Sequence, residues 1–243
     1  MTRLHSHDRR RSWLHTALVT LAAATIIGIG AACGGSDSGS DSDDDTTTTE
    51  QAPTSTGAST DVSTRATELA LLLPAADAIA ELGEGSLTEL GDARELVDEL
   101  YSEGDPSRDE AVERFSQGGY DLGVLRDQIR LGAGEGPQLV RSYVVGFATS
   151  DAAQTEVSES ITEVKRTSQA PATDVPVPGI PGAQAISLEL DSGAGDTADV
   201  LFVTFSAGRF LYGIQVFGES GGAVDQATVL SAAQAAYEAA PGA

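Results

Sequence analysis

From about Arg65 onward apolar residues recur at regular intervals, and the interval changes along the chain. Residues 69–73 and 75–82 are apolar runs broken at Pro74, which predict two short helices, and residues 93–101 predict another. Asp105-Pro106 marks the start of the next, Ala111, Val112 and Phe115 supply its buried stripe, and Gly118-Gly119 ends it. After Tyr120 the period drops to two. Leu125, Asp127, Ile129 and Leu131 alternate with Arg126, Gln128 and Arg130, and after a turn over 132–137 comes a valine- and aromatic-rich run, 139–147. Together these predict a hairpin. Helical spacing returns with Ala153, Val157, Ile161 and Val164, behind Ser150 as the expected cap.

A proline-rich connection, 171–181, precedes the last strands. Gln184, Ile186, Leu188 and Leu190 share one side, with Ser187 and Glu189 on the other. Residues 200–205 are apolar on both sides, as in a central strand. Ser206-Ala207-Gly208 then turns the chain into a strand whose buried side is Phe210, Tyr212, Ile214 and Val216. The last helix runs from Asp225 to about Ala239, with Val224 and Val229 placed as a hydrophobic staple. Strands followed by a helix occur twice, a loose structural echo. Hairpins without crossover helices predict an α+β fold: a mostly antiparallel sheet of about five strands, helices packed on one face, and a helical N-terminal part before it.

Before Arg65 the texture is different. Residues 1–11 are basic, 16–32 are apolar, and the stretch ends in Gly30-Ala31-Ala32-Cys33. That is signal-peptide architecture, and its end resembles the lipobox of bacterial lipoproteins, with Gly30 where an aliphatic residue is usual. The resemblance implies that Cys33 carries diacylglycerol, that cleavage occurs before it, and that the new amino group is often acylated. Seventeen apolar residues are also enough for a retained membrane span, which needs about 17–25, and a secreted protein with an unpaired thiol is the other alternative. Arg10-Arg11-Ser12-Trp13-Leu14 resembles a twin-arginine export signal, although triple arginines also occur in ordinary signals.

Ser, Asp, Thr and Gly dominate residues 36–64, which predicts a disordered tether spanning about 30 Å. Asp37, Asp41 and Asp43 lack the frame of a calcium loop. The organisation expected is therefore a signal peptide over 1–32, a lipidated Cys33 with its tether over 33–64, and one extracytoplasmic domain over 65–243. Glu113-Arg114-Phe115, Gly118-Gly119-Tyr120, Val145-Gly146-Phe147-Ala148 and Pro176-Val177-Pro178-Gly179-Ile180-Pro181 are similar to segments of actinobacterial-type surface lipoproteins. That resemblance implies localisation and fold and brings no activity with it.

Composition narrows the chemistry. His5, His7, His15, Trp13 and Met1 all precede Cys33, which is the only cysteine. A chain starting at Cys33 thus excludes Ser-His-Asp triads, Cys-His pairs and the usual His/Cys metal sites. No cofactor is expected, and residues 132–137 lack the lysine and hydroxyl of a phosphate loop. Fourteen basic and 37 acidic residues become ten and 36 once Arg3, Arg9, Arg10, Arg11 and Asp8 are removed, a formal net of −26. Such a polyanion repels nucleic acid and anionic head groups.

Arg126, Gln128, Arg130, Arg141 and Glu189 are candidates for a polar binding face, against the plainer reading of cross-strand ion pairs. Leu211, Gln215 and Phe217 are candidates for an apolar groove, and Gly146 and Gly213 for bulges or a close ligand approach. The expected function is a non-enzymatic, membrane-anchored binding, sensor or accessory domain of the envelope. Its partners would be the membrane, through the lipid on Cys33, and an envelope protein or small apolar ligand. A carrier of an apolar or lipidic ligand is the alternative, and a hydrolase using carboxylates alone comes third.

Overall fold

The computed structural model describes residues 58–243 apart from 84, 102, 131–135, 169, 192–196 and 219–223. The signal peptide, Arg10, Arg11, Cys33 and the tether up to residue 57 lie outside the described residues. Among the described residues five helices surround one seven-stranded sheet. The helices are α1 (Ala58–Ala70), α2 (Ala93–Leu100), α3 (Arg108–Gln117), α4 (Ser150–Thr167) and α5 (Gln226–Ala239). The strands are β1 (Ser86–Leu90), β2 (Leu122–Ile129), β3 (Pro137–Gly146), β4 (Ala172–Asp174), β5 (Gln184–Asp191), β6 (Thr197–Ala207) and β7 (Phe210–Gly218). No helix of the described residues is long and apolar enough to cross a membrane.

The strand order is β1-β2-β3-β7-β6-β5-β4, and every neighbouring pair is antiparallel. Two meanders thus meet where β7 pairs with β3. The chain leaves β3 and must return at the far edge, β4, four strand spacings or about 19 Å away. An 18-residue helix, about 27 Å long, covers that distance. This helix is α4, and its Ala153, Val157 and Ile161 are buried against the sheet, the stripe its spacing predicts. Its cap is Thr149, whose hydroxyl accepts from Ala152 N, one residue before the expected Ser150.

Helices cover both faces of the sheet, which corrects the expectation of one. On one face α2, α3 and α4 enclose a core with Leu125, Tyr143, Val145, Ile186, Leu188, Phe202 and Leu211. On the other, α1 and α5 cover Val124, Val140, Val144, Leu201, Val203, Phe205, Tyr212, Ile214 and Val216. Adjacent residues of β3, β6 and β7 thus belong to opposite cores. A strand apolar on both sides requires cover on both, as residues 200–205 already indicated.

Two strands beyond the five expected lie at the edges. Of the five residues of β1 only Leu90 is buried, and β4 is three residues inside the proline-rich connection. Residues 75–82 form turns in place of the predicted helix. Arg126 Nη1 donates to Pro74 O at 2.8 Å and Gln128 Nε2 to Ala76 O at 2.8 Å, so side chains of β2 take carbonyls that a helix would have used.

Candidate functional site

The three arginines expected on one face do not converge. Register places Asp127 opposite Arg141 and Arg126 opposite Ser142, so Arg141 projects from the side of the sheet opposite to Arg126. Arg126 is tied to Pro74 O, and Arg130 Nε donates to Pro137 O at 3.0 Å across the hairpin. Glu189, on β5, is separated from β2 by three strands. Arg141 is only 2% exposed. Its Nε and Nη2 bind the two oxygens of Asp127 at 2.7 and 2.6 Å, and Nη1 donates to Glu99 O at 2.9 Å, near the end of α2. A bidentate pair that also satisfies a helix-terminal carbonyl is a structural tie between α2 and the hairpin.

The face carrying α2, α3 and α4 holds a second set of buried polar groups. Asp92 caps α2 by accepting from Glu95 N at 2.9 Å, and Tyr101 follows its last turn. Arg114, on α3, donates through Nε to Glu156 Oε1 at 3.0 Å and through Nη2 to Tyr101 Oη at 3.2 Å. Glu156 is 3% exposed and interrupts the apolar stripe of α4. Burial pushes its carboxyl above the usual range, against the opposing pull of Arg114. Burial likewise raises Tyr101, again opposed by Arg114. Ser107 Oγ lies 2.6 Å from both Asp105 Oδ1 and Glu163 Oε1, linking the approach to α3 with α4.

Beside this network a cavity of about 60 Å³ opens to solvent between the three helices and the sheet. Leu96, Phe115, Val164 and Leu211 supply apolar wall, with Tyr143 and Gln215 contributed by β3 and β7. Two residues expected in an apolar groove, Leu211 and Gln215, are therefore at this cavity. Leu211 is 1% exposed and forms part of the core, while Phe217 packs against the same core away from the cavity lining. At Gly213 the ladder between β3 and β7 is continuous, with Tyr143 directly opposite and its ring lying over the glycine. Gly146 is likewise paired in register, with Leu122 and Phe210. Neither glycine marks a bulge.

Tyr101, Arg114, Tyr143, Glu156 and Glu163 escape a reading by motif because they come from four separate elements and connections. One signal was present. A carboxylate at 156 and a guanidinium at 114 each sit beside apolar stripe residues of an amphipathic helix, where a charge is tolerated only with a partner. Among the described residues no cluster of His, Cys, Asp and Glu is arranged to hold a metal ion.

No family model matches the chain, and no curated protein matches it. Among solved structures it is similar to the extracellular domain of PknH from Mycobacterium tuberculosis, with 17% identity and a TM-score of 0.39 over 65% of this chain and 78% of that one. Likeness at this level specifies neither a shared fold nor a shared function.

Proposed function

We propose that the chain is an extracytoplasmic lipoprotein, anchored by lipid on Cys33, whose folded part is a non-catalytic binding, sensor or accessory domain with the cavity beneath α4 as its ligand site. The observation that carries the binding role is an open, mostly apolar cavity floored by polar side chains of two central strands. Small-molecule sites have this make-up, apolar walls with a few placed polar groups. The anchoring half of the proposal rests on Gly30-Ala31-Ala32-Cys33 and the apolar stretch before it.

The alternative of a lipid carrier is less well supported. A cavity of about 60 Å³ lies well below the roughly 300–1,000 Å³ of sites that engulf a drug-sized ligand. It accepts the end of a molecule and leaves the rest outside.

Two measurements test the proposal. Cells expressing the full chain are fed an alkyne fatty acid, and label is expected on the wild-type chain and absent from Cys33→Ser, which is expected to keep its signal peptide uncut. A Cys33→Ser chain still cut at the same bond and retained in the envelope sinks the anchor. Native mass spectrometry of the lipidated chain, released from its own membranes in mild detergent, is expected to show a small bound molecule. A co-purifying acyl lipid would favour the carrier instead.

A further inference from the structure

On the cavity side of the sheet nearly every buried polar group is matched by another. Arg141 has Asp127 and Glu99 O, Arg114 has Glu156 and Tyr101, and Ser107 has Asp105 and Glu163. Two groups break the pattern. Tyr143 is 3% exposed and lines the cavity, yet its hydroxyl makes no hydrogen bond among the described residues. The Gln215 amide, also at the cavity, makes none either. Neither is sealed from solvent, because among the described residues the fully enclosed side-chain polar atom without a partner is Tyr212 Oη on the opposite face, so both groups are open to a partner that enters the cavity.

Their positions are linked. Tyr143 lies over Gly213, which places its hydroxyl above β7. Gln215 is the next residue on the same face of that strand, about 6.6 Å along. One functional group seated between them meets both. Burial raises the ionisation of Tyr143 well above its ordinary value, keeping a neutral hydroxyl that donates and accepts. The amide of Gln215 also does both.

Charge and size restrict what enters. The lining includes Asp105 and Glu163 and, among the described residues, no arginine or lysine; Arg141, paired across from Gln215, and Arg114, on the Tyr101 hydroxyl, already hold Asp127 and Glu156, so a ligand anion meets carboxylates and no uncommitted cation. About 60 Å³ has room for four to six waters at roughly 10–15 Å³ each, or for a ligand end with a similar number of heavy atoms.

We infer that Tyr143 and Gln215 bind the uncharged hydroxyl or carboxamide end of a small ligand, whose short apolar body lies against Leu96, Phe115 and Leu211. This rests on the reading of the cavity as the ligand site. The mode of recognition is a neutral donor–acceptor pair in an apolar wall, and it discriminates against a carboxylate of the same shape, whose charge would be desolvated without compensation.

Isobutyramide and isobutyrate, nearly equal in shape and different in charge, test this. Each is titrated into the full lipidated chain in detergent micelles, with the backbone amides of residues 143 and 211–217 followed by NMR. Isobutyramide is expected to give saturable shifts at millimolar concentration, weakened about three- to tenfold by Tyr143→Phe or Gln215→Leu. Tyr143→Phe retains the ring over Gly213, and its unchanged spectrum elsewhere verifies the fold. Isobutyrate is expected to bind at least tenfold more weakly. Equal or tighter binding of isobutyrate at the same residues overturns the ligand class and leaves the cavity as a site. Binding of isobutyramide unaffected by both substitutions overturns the roles of Tyr143 and Gln215. Absence of saturable shifts with either probe overturns both the inference and the site it rests on.

Discussion

The ring of Tyr143 on β3 occupies the space that a β-carbon would take at Gly213 on β7, its directly paired neighbour. Gly213 is therefore required by a side chain on the adjacent strand, with no bulge to accommodate. Gly213→Ala is expected to destabilise the fold by about 1–3 kcal/mol, the usual cost of overpacking a core. Combining it with Tyr143→Ser is expected to give a loss smaller than the sum of the two single losses, because the clash is relieved. Urea unfolding of the four members of this cycle reads the coupling directly, and strict additivity would mean the contact is unimportant.

Arg141 and Asp127 form the most deeply enclosed ion pair among those described. Asp127→Ala leaves a buried guanidinium with only Glu99 O and is expected to cost about 3–5 kcal/mol. Arg141→Met with Asp127→Leu removes both charges and is expected to recover most of that loss. Thermal denaturation of the single and double variants distinguishes this from a solvent-screened pair, for which both would differ from wild type by less than about 1 kcal/mol.

Two carboxylates confer opposite pH dependence. Hydrogen bonds from Arg65 and then Arg209 hold Asp121 below the usual carboxylate range, so its contribution is complete above its unfolded pKa and disappears as pH falls through the folded one. Burial raises Glu156, so the folded state holds its proton more tightly and stability declines as pH climbs from the unfolded value through the folded one. Urea midpoints between about pH 3 and 7 are expected to fall less on acidification in Asp121→Asn, by at most about 1 kcal/mol because the site is partly exposed. In Glu156→Gln the decline with rising pH is expected to vanish. Identical profiles for wild type and both variants would contradict these assignments.

The segment around residues 74–76 is held down by Arg126 and Gln128. Arg126→Met is expected to cost about 1 kcal/mol, roughly one hydrogen bond, and to speed amide exchange over residues 71–82 while leaving α4 unaffected. Equal acceleration across both faces of the sheet would show that Arg126 supports the whole domain and not this segment alone.

The long elements were readable in the residues themselves. Ala153, Val157 and Ile161 are buried on α4 as their spacing requires, and the central position of β6 follows from a run apolar on both sides. Asp225 caps α5 by accepting from Ala227 N, with Val224 and Val229 in the same core. Short elements were not. In β1 one buried leucine in five residues gives no period, and edge strands need little apolar surface because only one side of their backbone is paired.

The chain alone determined which residues are apolar at which period, where proline and glycine interrupt them, and that histidine chemistry is absent after Cys33. These are local properties, set by side-chain geometry and backbone freedom. Tertiary structure decided the rest: that helices cover both faces, that Arg126 and Arg141 face opposite ways, and that Tyr143 and Gln215 meet at one cavity. A slip of one residue between strands moves every side chain to the other face, so convergence at a site depends on register, which arises from the packing of distant segments.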